Sequence, residues 1–168
     1  EITVLDAAVH LLPERALVRL RAQVPYLIQG PALLDWLTLE DNVALAAKPD
    51  GLVRARAALA RLGLAELATR FPPEVGPGVK KRAAIARALL LDPKYLLLDE
   101  PTTGLDRTAA AQVNGALQIL KAAGLGALVV SHDYRALAAL ADHVVEVKDG
   151  VVGYQGDAAG FLAQRQSA

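Results

Sequence analysis

Residues 95–106 read Tyr-Leu-Leu-Leu-Asp-Glu-Pro-Thr-Thr-Gly-Leu-Asp, and this stretch decides the fold. The apolar run Tyr95 to Leu98 ends abruptly in two adjacent carboxylates, Asp99 and Glu100. A short unbroken apolar run suits a strand buried on both faces of a parallel sheet. In open α/β sheets, ligands bind beyond the carboxyl ends of the strands, where these two acids fall. A carboxylate pair there is costly unless a cation or a reaction uses it. The pair therefore points to one acid holding Mg²⁺ beside phosphates and the next acting on an attacking water. A pair that merely caps a helix is the plain alternative, and Pro101 with its Thr-Thr-Gly turn argues against it.

Working outward, the chain alternates strand and helix. Strands are expected over Ile2 to Leu5, Val24 to Ile28, 95–98, Ala127 to Val130, His143 to Val147 and Val151 to Tyr154. Helices are expected over Pro13 to Ala22, Leu33 to about Leu67, Val79 to Leu91, Arg107 to Ala122, Tyr134 to Ala141 and Asp157 to Gln164. Gly76-Pro77-Gly78 reads as a turn, and Asp149-Gly150 as a hairpin connection. The alternation is interrupted by an all-helical stretch over about 32–92. The fold class is therefore α/β, with a parallel-sheet core and a helical insert.

Three landmarks stand beside the acid pair. Gln29 ends the strand in "PYLIQG", "KKRAAIARALLLDP" begins at Lys80, and His132 follows an apolar strand in "VVSHD". In that order, with "LLLDEPTTGLD", they resemble the ATP-binding cassette (ABC) ATPases over essentially the whole chain. The resemblance implies a P-loop NTPase-like (RecA-like) parallel-sheet core over 1–31 and 93–168. It implies an inserted ABC α-helical subdomain over about 32–92, within a single ABC ATPase domain spanning 1–168 that lacks its N-terminal part. It also implies roles for single residues. Asp99 and Gln29 would hold Mg²⁺, Glu100 would polarise the attacking water, and His132 would contact the γ-phosphate as the switch histidine. Asp106 would be the aspartate that communicates across a dimer, although Asp is also a favoured N-cap for the helix beginning near Arg107. Taken alone, a loop histidine such as His132 is more often a surface or capping residue. His10 and His143 have no comparable context. Trp36, in "ALLDWLTLEDNV", is equally readable as a core anchor or as a docking residue for a membrane partner. Residues 27–45 are slightly similar to the corresponding part of lipid-trafficking ABC ATPases.

The chain departs from the family in two places. The family's Leu-Ser-Gly-Gly-Gln signature is replaced by Val75-Gly76-Pro77-Gly78-Val79. The serine hydroxyl is gone, and Pro77 offers no backbone N–H to a phosphate. Gly76, Gly78, the helix N-terminus and the cations Lys80, Lys81 and Arg82 are expected to retain some attraction for nucleotide phosphate. The second departure is the absence of G-x-x-x-x-G-K-[ST]: no Gly-Lys dipeptide occurs anywhere. Because position 1 is Glu and the chain holds no Met, upstream sequence carrying that phosphate loop is expected.

Composition sets outer bounds. With 168 residues, 54% of them hydrophobic and 4% aromatic, one sizeable core can be built mainly from Ala, Leu and Val. Eighteen basic residues balance eighteen acidic ones, which gives no support for a nucleic-acid partner or for a DNA-repair or translation ABC protein. No cysteine is present, so disulfides and thiolate chemistry are excluded. No apolar stretch approaches the ~18 residues of a membrane helix.

The expected function is thus an ATP-hydrolysing subunit of an ABC transporter, with ATP and Mg²⁺ as cofactors. It would sit in the cytoplasm, peripheral on the inner face of the membrane, with transmembrane subunits as partners. A second ABC ATPase domain would complete a heterodimer with one degenerate site. The alternative is a catalytically incompetent scaffold or regulatory module.

Overall fold

The computed structural model describes residues 1–47, 49–134 and 140–166. Its centre is a three-stranded parallel sheet in the order β3 (Tyr26–Leu27), β4 (Tyr95–Asp99), β5 (Gly126–Val130). The register sets Tyr26 beside Leu97, and Leu97 beside Leu128. β4 includes Asp99, so its carboxyl end carries the acid pair out of the sheet. Side chains alternate between faces along a strand. Leu96 and Leu98 are buried on one face, whereas Tyr26, Ile28, Leu128 and Val130 on the other are each more than half exposed.

The buried face is covered by helices. Between β3 and β4 lie α2 (Leu39–Ala44), α3 (Gly51–Arg61) and α4 (Pro77–Leu89), and α5 (Arg107–Ala122) follows β4. The single helical stretch expected over 33–67 is divided, because Asp50 turns left-handed at φ 61° and Gly51 starts a new helix. A Cβ at Gly51 would stand 3.0 Å from the Ala44 carbonyl oxygen, so glycine permits the tight return. α2 opens with Thr38, whose side chain accepts from Asp41 N–H.

Asn42, fully buried, fastens the loop ahead of α2. It accepts from Leu34 N–H at 2.7 Å and donates to the carbonyls of Leu34, Leu37 and Thr38 at 2.9–3.0 Å. α4 starts at Pro77 rather than Val79, with Gly76 as N-cap, because proline's fixed φ and missing N–H suit the first helical position. It is the central helix, with Ala83, Ala84, Ile85 and Ala86 buried in succession. Its alanines let α3, α5 and the sheet close on it from several sides. Leu39, Val43, Leu59, Ile85, Leu98 and Val113 join the resulting core.

The flanking strands are not part of the parallel sheet. β1 (Thr3–Val4) and β2 (Ala7–Ala8) form a small antiparallel hairpin ahead of α1 (Glu14–Gln23). Leu5 and Asp6 both take positive φ, the geometry of a two-residue hairpin turn, so the strand expected over 2–5 folds back on its neighbour. β6 (His143–Lys148) and β7 (Val151–Asp157) pair antiparallel across Asp149-Gly150, followed by α6 (Ala158–Gln166). The helix expected over Tyr134 to Ala141 falls largely outside the described residues.

Candidate active site

The carboxyl ends of β3, β4 and β5 bring Gln29, the acid pair and His132 to one edge of the sheet. Glu100, just past β4, is held in the left-handed region at φ 46°. A non-glycine residue there costs roughly 1–2 kcal/mol, and it turns the side chain toward the end of β5. Its side chain is 15% exposed and its carboxylate is well engaged. Oε2 accepts the Thr103 hydroxyl at 2.7 Å. Oε1 accepts the backbone N–H of His132 at 3.1 Å and lies 2.6 Å from His132 Nδ1. A contact that short between a carboxylate and an imidazole nitrogen is a hydrogen bond, with one proton between the two atoms. The His132 ring is otherwise 79% exposed. The structure thus joins two residues 32 positions apart into one acid–histidine pair at the sheet edge.

Asp99 faces the opposite way along the strand and accepts the Tyr26 phenol at 2.7 Å. The hydrogen bond to Asp99 pushes the Tyr26 phenol up, with desolvation and the Asp99 charge adding to it. Among the described residues no group of three His, Cys, Asp or Glu side chains could hold a metal ion by itself. Asp99, whose Oδ2 is held by Tyr26, is a carboxylate at the carboxyl end of β4. Gln29 is exposed at the end of β3, and Gly30 beside it is open, with no atom within 4 Å of an added Cβ.

Other sequence candidates have different surroundings. Asp106 caps α5, accepting Ala109 N–H at 2.8 Å. Gly76 is exposed and uncrowded, whereas Gly78 is buried where α4 meets α5, and a Cβ on it would stand 2.8 Å from Ala109 Cβ. Glycine at 78 is therefore explained by helix packing.

The cations expected to draw phosphate are mostly turned inward. Lys81 is buried and donates to the carbonyls of Gln29 and Glu100, the latter at 3.2 Å. Arg82, also buried, donates to the Leu62 carbonyl at 3.1 Å and to Gln112 Oε1 at 2.9 Å. Only Lys80 of the three remains at the partly exposed surface. The reason is helical periodicity: α4 is surrounded, so consecutive residues cannot all face solvent. Trp36 is 73% exposed, which removes the core-anchor reading.

Sequence reading missed Tyr26 and Thr103 as contributors, and read Lys81 as a phosphate-attracting cation where it donates to backbone carbonyls. Thr103, three residues past Glu100 in a Thr-Thr-Gly turn, was the most findable, since such hydroxyls commonly bond locally. Tyr26 and Lys81 reach the acids across strands and helices, and no local pattern marks them.

Comparison with known proteins places these features. A family model described as "ABC transporter" matches residues 1–103. The aliphatic sulfonates import ATP-binding protein SsuB 2 of Pseudomonas aeruginosa (strain UCBPP-PA14) is 37% identical over 139 residues, covering 82% of this chain and 51% of that protein. SsuB of Pseudomonas putida is 37% identical over 134 residues, covering 79% and 50%. The chain thus spans about half the length of the curated relatives it matches. Among solved structures, the cbiO1 protein of Clostridium perfringens, part of the ABC transporter complex cbiONQ, superposes with a TM-score of 0.82 at 28% identity. That match covers 92% of this chain and 65% of the other. The dimeric post-hydrolysis ATP-binding cassette MJ0796, bound to ADP and Pi, gives 0.79 at 25% identity over 93% and 72%.

Proposed function

Since the chain belongs to the ABC transporter family, we propose that it forms part of an ATP-binding, ATP-hydrolysing subunit that drives import through partner transmembrane subunits. The observation that carries this reading is the Glu100–His132 pair at the sheet edge, with Asp99 next to it. Glu100 is the acceptor for a proton of the attacking water, oriented by Thr103 and His132. Asp99, with Gln29, is the hard oxygen donor for Mg²⁺, which would neutralise phosphate charge when bound. His132 presents the rest of its exposed ring outward, where a γ-phosphate would lie.

In this reading the helices of about 32–92 form a subdomain inserted into a core made of 1–31 and 93–168. The Gly76-Pro77-Gly78 turn contributes to a second nucleotide site across a dimer. Because Pro77 has no N–H and Lys81 and Arg82 are committed internally, that second site is the weak one. A heterodimer with a second, intact cassette follows. Exposed Trp36 belongs to the surface that meets the membrane subunits. Among the described residues no helix is long and apolar enough to cross a membrane. The subunit would therefore be held peripherally on the inner face through those partners. The relatives are named for aliphatic sulfonates, which makes that the first solute class to test.

The same degenerate turn favours a second reading, in which the protein is a scaffold that does not hydrolyse ATP. One experiment separates the two: expression of the gene from its start codon, together with its membrane subunits, and measurement of phosphate release. The ATPase reading expects hydrolysis that falls about 10²–10⁴-fold in Glu100→Gln, with nucleotide binding kept. A parent that binds no nucleotide, or a Glu100→Gln variant as active as the parent, would sink it.

A further inference from the structure

Two non-glycine residues near the site, Ala32 and Glu100, sit in the left-handed region at φ 47° and 46°. Strained residues of this kind persist only where their surroundings hold them. In both cases the carbonyl oxygen is gripped by a cation from α4. Arg87 donates to Ala32 O at 2.7 Å and to Pro31 O at 3.3 Å. Lys81 donates to Glu100 O at 3.2 Å and also to Gln29 O. Lys81 is thus the one side chain among those described that bonds both the Gln29 segment and the acid loop, and it does so from the helix that follows the glycine turn. A small cavity lined by Gly30, Pro31, Lys81, Asp99 and Pro101 lies at this junction. Burial pushes the Lys81 ammonium below the usual lysine range, while Asp99 and Glu100 oppose that shift.

We propose that Lys81 is a positioning residue: its buried ammonium clamps the carbonyls of Gln29 and Glu100 and so fixes the Glu100 loop in its left-handed conformation. With the loop so fixed, the Glu100 carboxylate stays on His132 and Thr103, and a displacement of α4 moves the Gln29 segment and the acid loop together. The consequence for hydrolysis rests on the ATPase reading above; the clamp itself does not.

The test is hydrogen exchange of the 168-residue chain, comparing Lys81→Met and Lys81→Gln with the parent and with Lys80→Met. Thr103 N–H bonds to Glu100 O and Glu100 N–H to Val130 O, so peptides over 100–105 report the acid loop, and those over 29–34, whose Leu34 N–H is held by Asn42, report the Gln29 segment. Losing a charge-assisted hydrogen bond implies at least about tenfold faster exchange in both regions, with α5 unchanged and Lys80→Met like the parent. Lys81→Gln, which keeps a neutral donor, should fall between. Faster exchange confined to 77–89, a uniform rise that includes α5, or no change in either loop would overturn the clamp. If Lys81→Met fails to fold, Lys81→Gln carries the same test. An amine-reactive label on the parent adds to it: Lys81 should react at least about tenfold more slowly than Lys80, and equal labelling overturns the proposal. A failure to find ATP hydrolysis leaves this readout untouched, so the two ideas fail separately.

Discussion

Replacing Gly78 by alanine isolates what glycine does at the start of α4. The added Cβ would stand 2.8 Å from Ala109 Cβ and 3.3 Å from Ala109 Cα. Carbon atoms in good contact lie about 3.5–4.0 Å apart, so the new methyl intrudes by nearly 1 Å. Ala109 Cβ has no rotamer by which to move aside, so α4 and α5 must separate. Overpacking of this kind costs about 1–3 kcal/mol, against which alanine's better helix propensity returns roughly 0.5–1 kcal/mol. The net expectation is a loss of up to about 2.5 kcal/mol, centred on about 1.3 kcal/mol. In urea unfolding followed by circular dichroism, an m-value of about 2 kcal/mol per M makes that central value a midpoint shift of roughly 0.6 M. Gly76→Ala is the control, because nothing lies within 4 Å of its Cβ and its φ of −71° suits any residue. It should stay within about 0.5 kcal/mol of the parent. If Gly78→Ala proved as stable as the parent, the packing explanation for this glycine would be wrong, and a role in contacting phosphate would regain its place.

Asn42→Ala should cost about 2–4 kcal/mol, since it leaves Leu34 N–H and the Leu37 carbonyl without their partner in the part-buried base of the loop, while the Leu34 and Thr38 carbonyls keep backbone donors; a loss below about 1 kcal/mol in the same unfolding assay would contradict this. Tyr26 is expected to ionise above the ordinary tyrosine value in a spectrophotometric titration at alkaline pH, and Tyr26→Phe should remove that late step. Its folded pKa is raised above 10.0, so the stability its hydrogen bond contributes is present below pH 10.0 and lost as pH rises through the folded value. The bare sheet face, where Tyr26 is 58%, Ile28 52%, Leu128 63% and Val130 57% exposed, should make the isolated chain self-associate at micromolar concentration. Leu128→Lys with Val130→Lys should shift sedimentation velocity toward monomer, and a parent that is already monodisperse would refute the expectation.

The sequence by itself determined the class of fold and the places where chemistry could occur. Unbroken apolar runs ending in Asp99-Glu100 and Ser131-His132 announced strands of a parallel sheet with polar carboxyl ends, because side-chain burial is written directly in the order of residues. Helix 107–122 was legible to the residue, since Asp106 supplies an N-cap and the apolar spacing sustains it. What the sequence did not contain was the destination of long side chains. Three consecutive cations at 80–82 look equivalent in a string, yet the crowding of α3, α5 and the sheet around α4 leaves only Lys80 partly exposed. Gly78 resembles a phosphate-contacting glycine until α5 is seen against it, and Trp36 reads equally as a core anchor or a docking residue until its exposure is seen. The same holds for the strands at either end. Local order announces that Ile2 to Leu5 extends, but only the left-handed Leu5-Asp6 turn sends it back onto Ala7–Ala8 instead of into the central sheet. Local periodicity fixes which residues form an element. Which cation holds which carbonyl depends on elements 19 and 52 residues apart meeting in space, and only tertiary packing decides that.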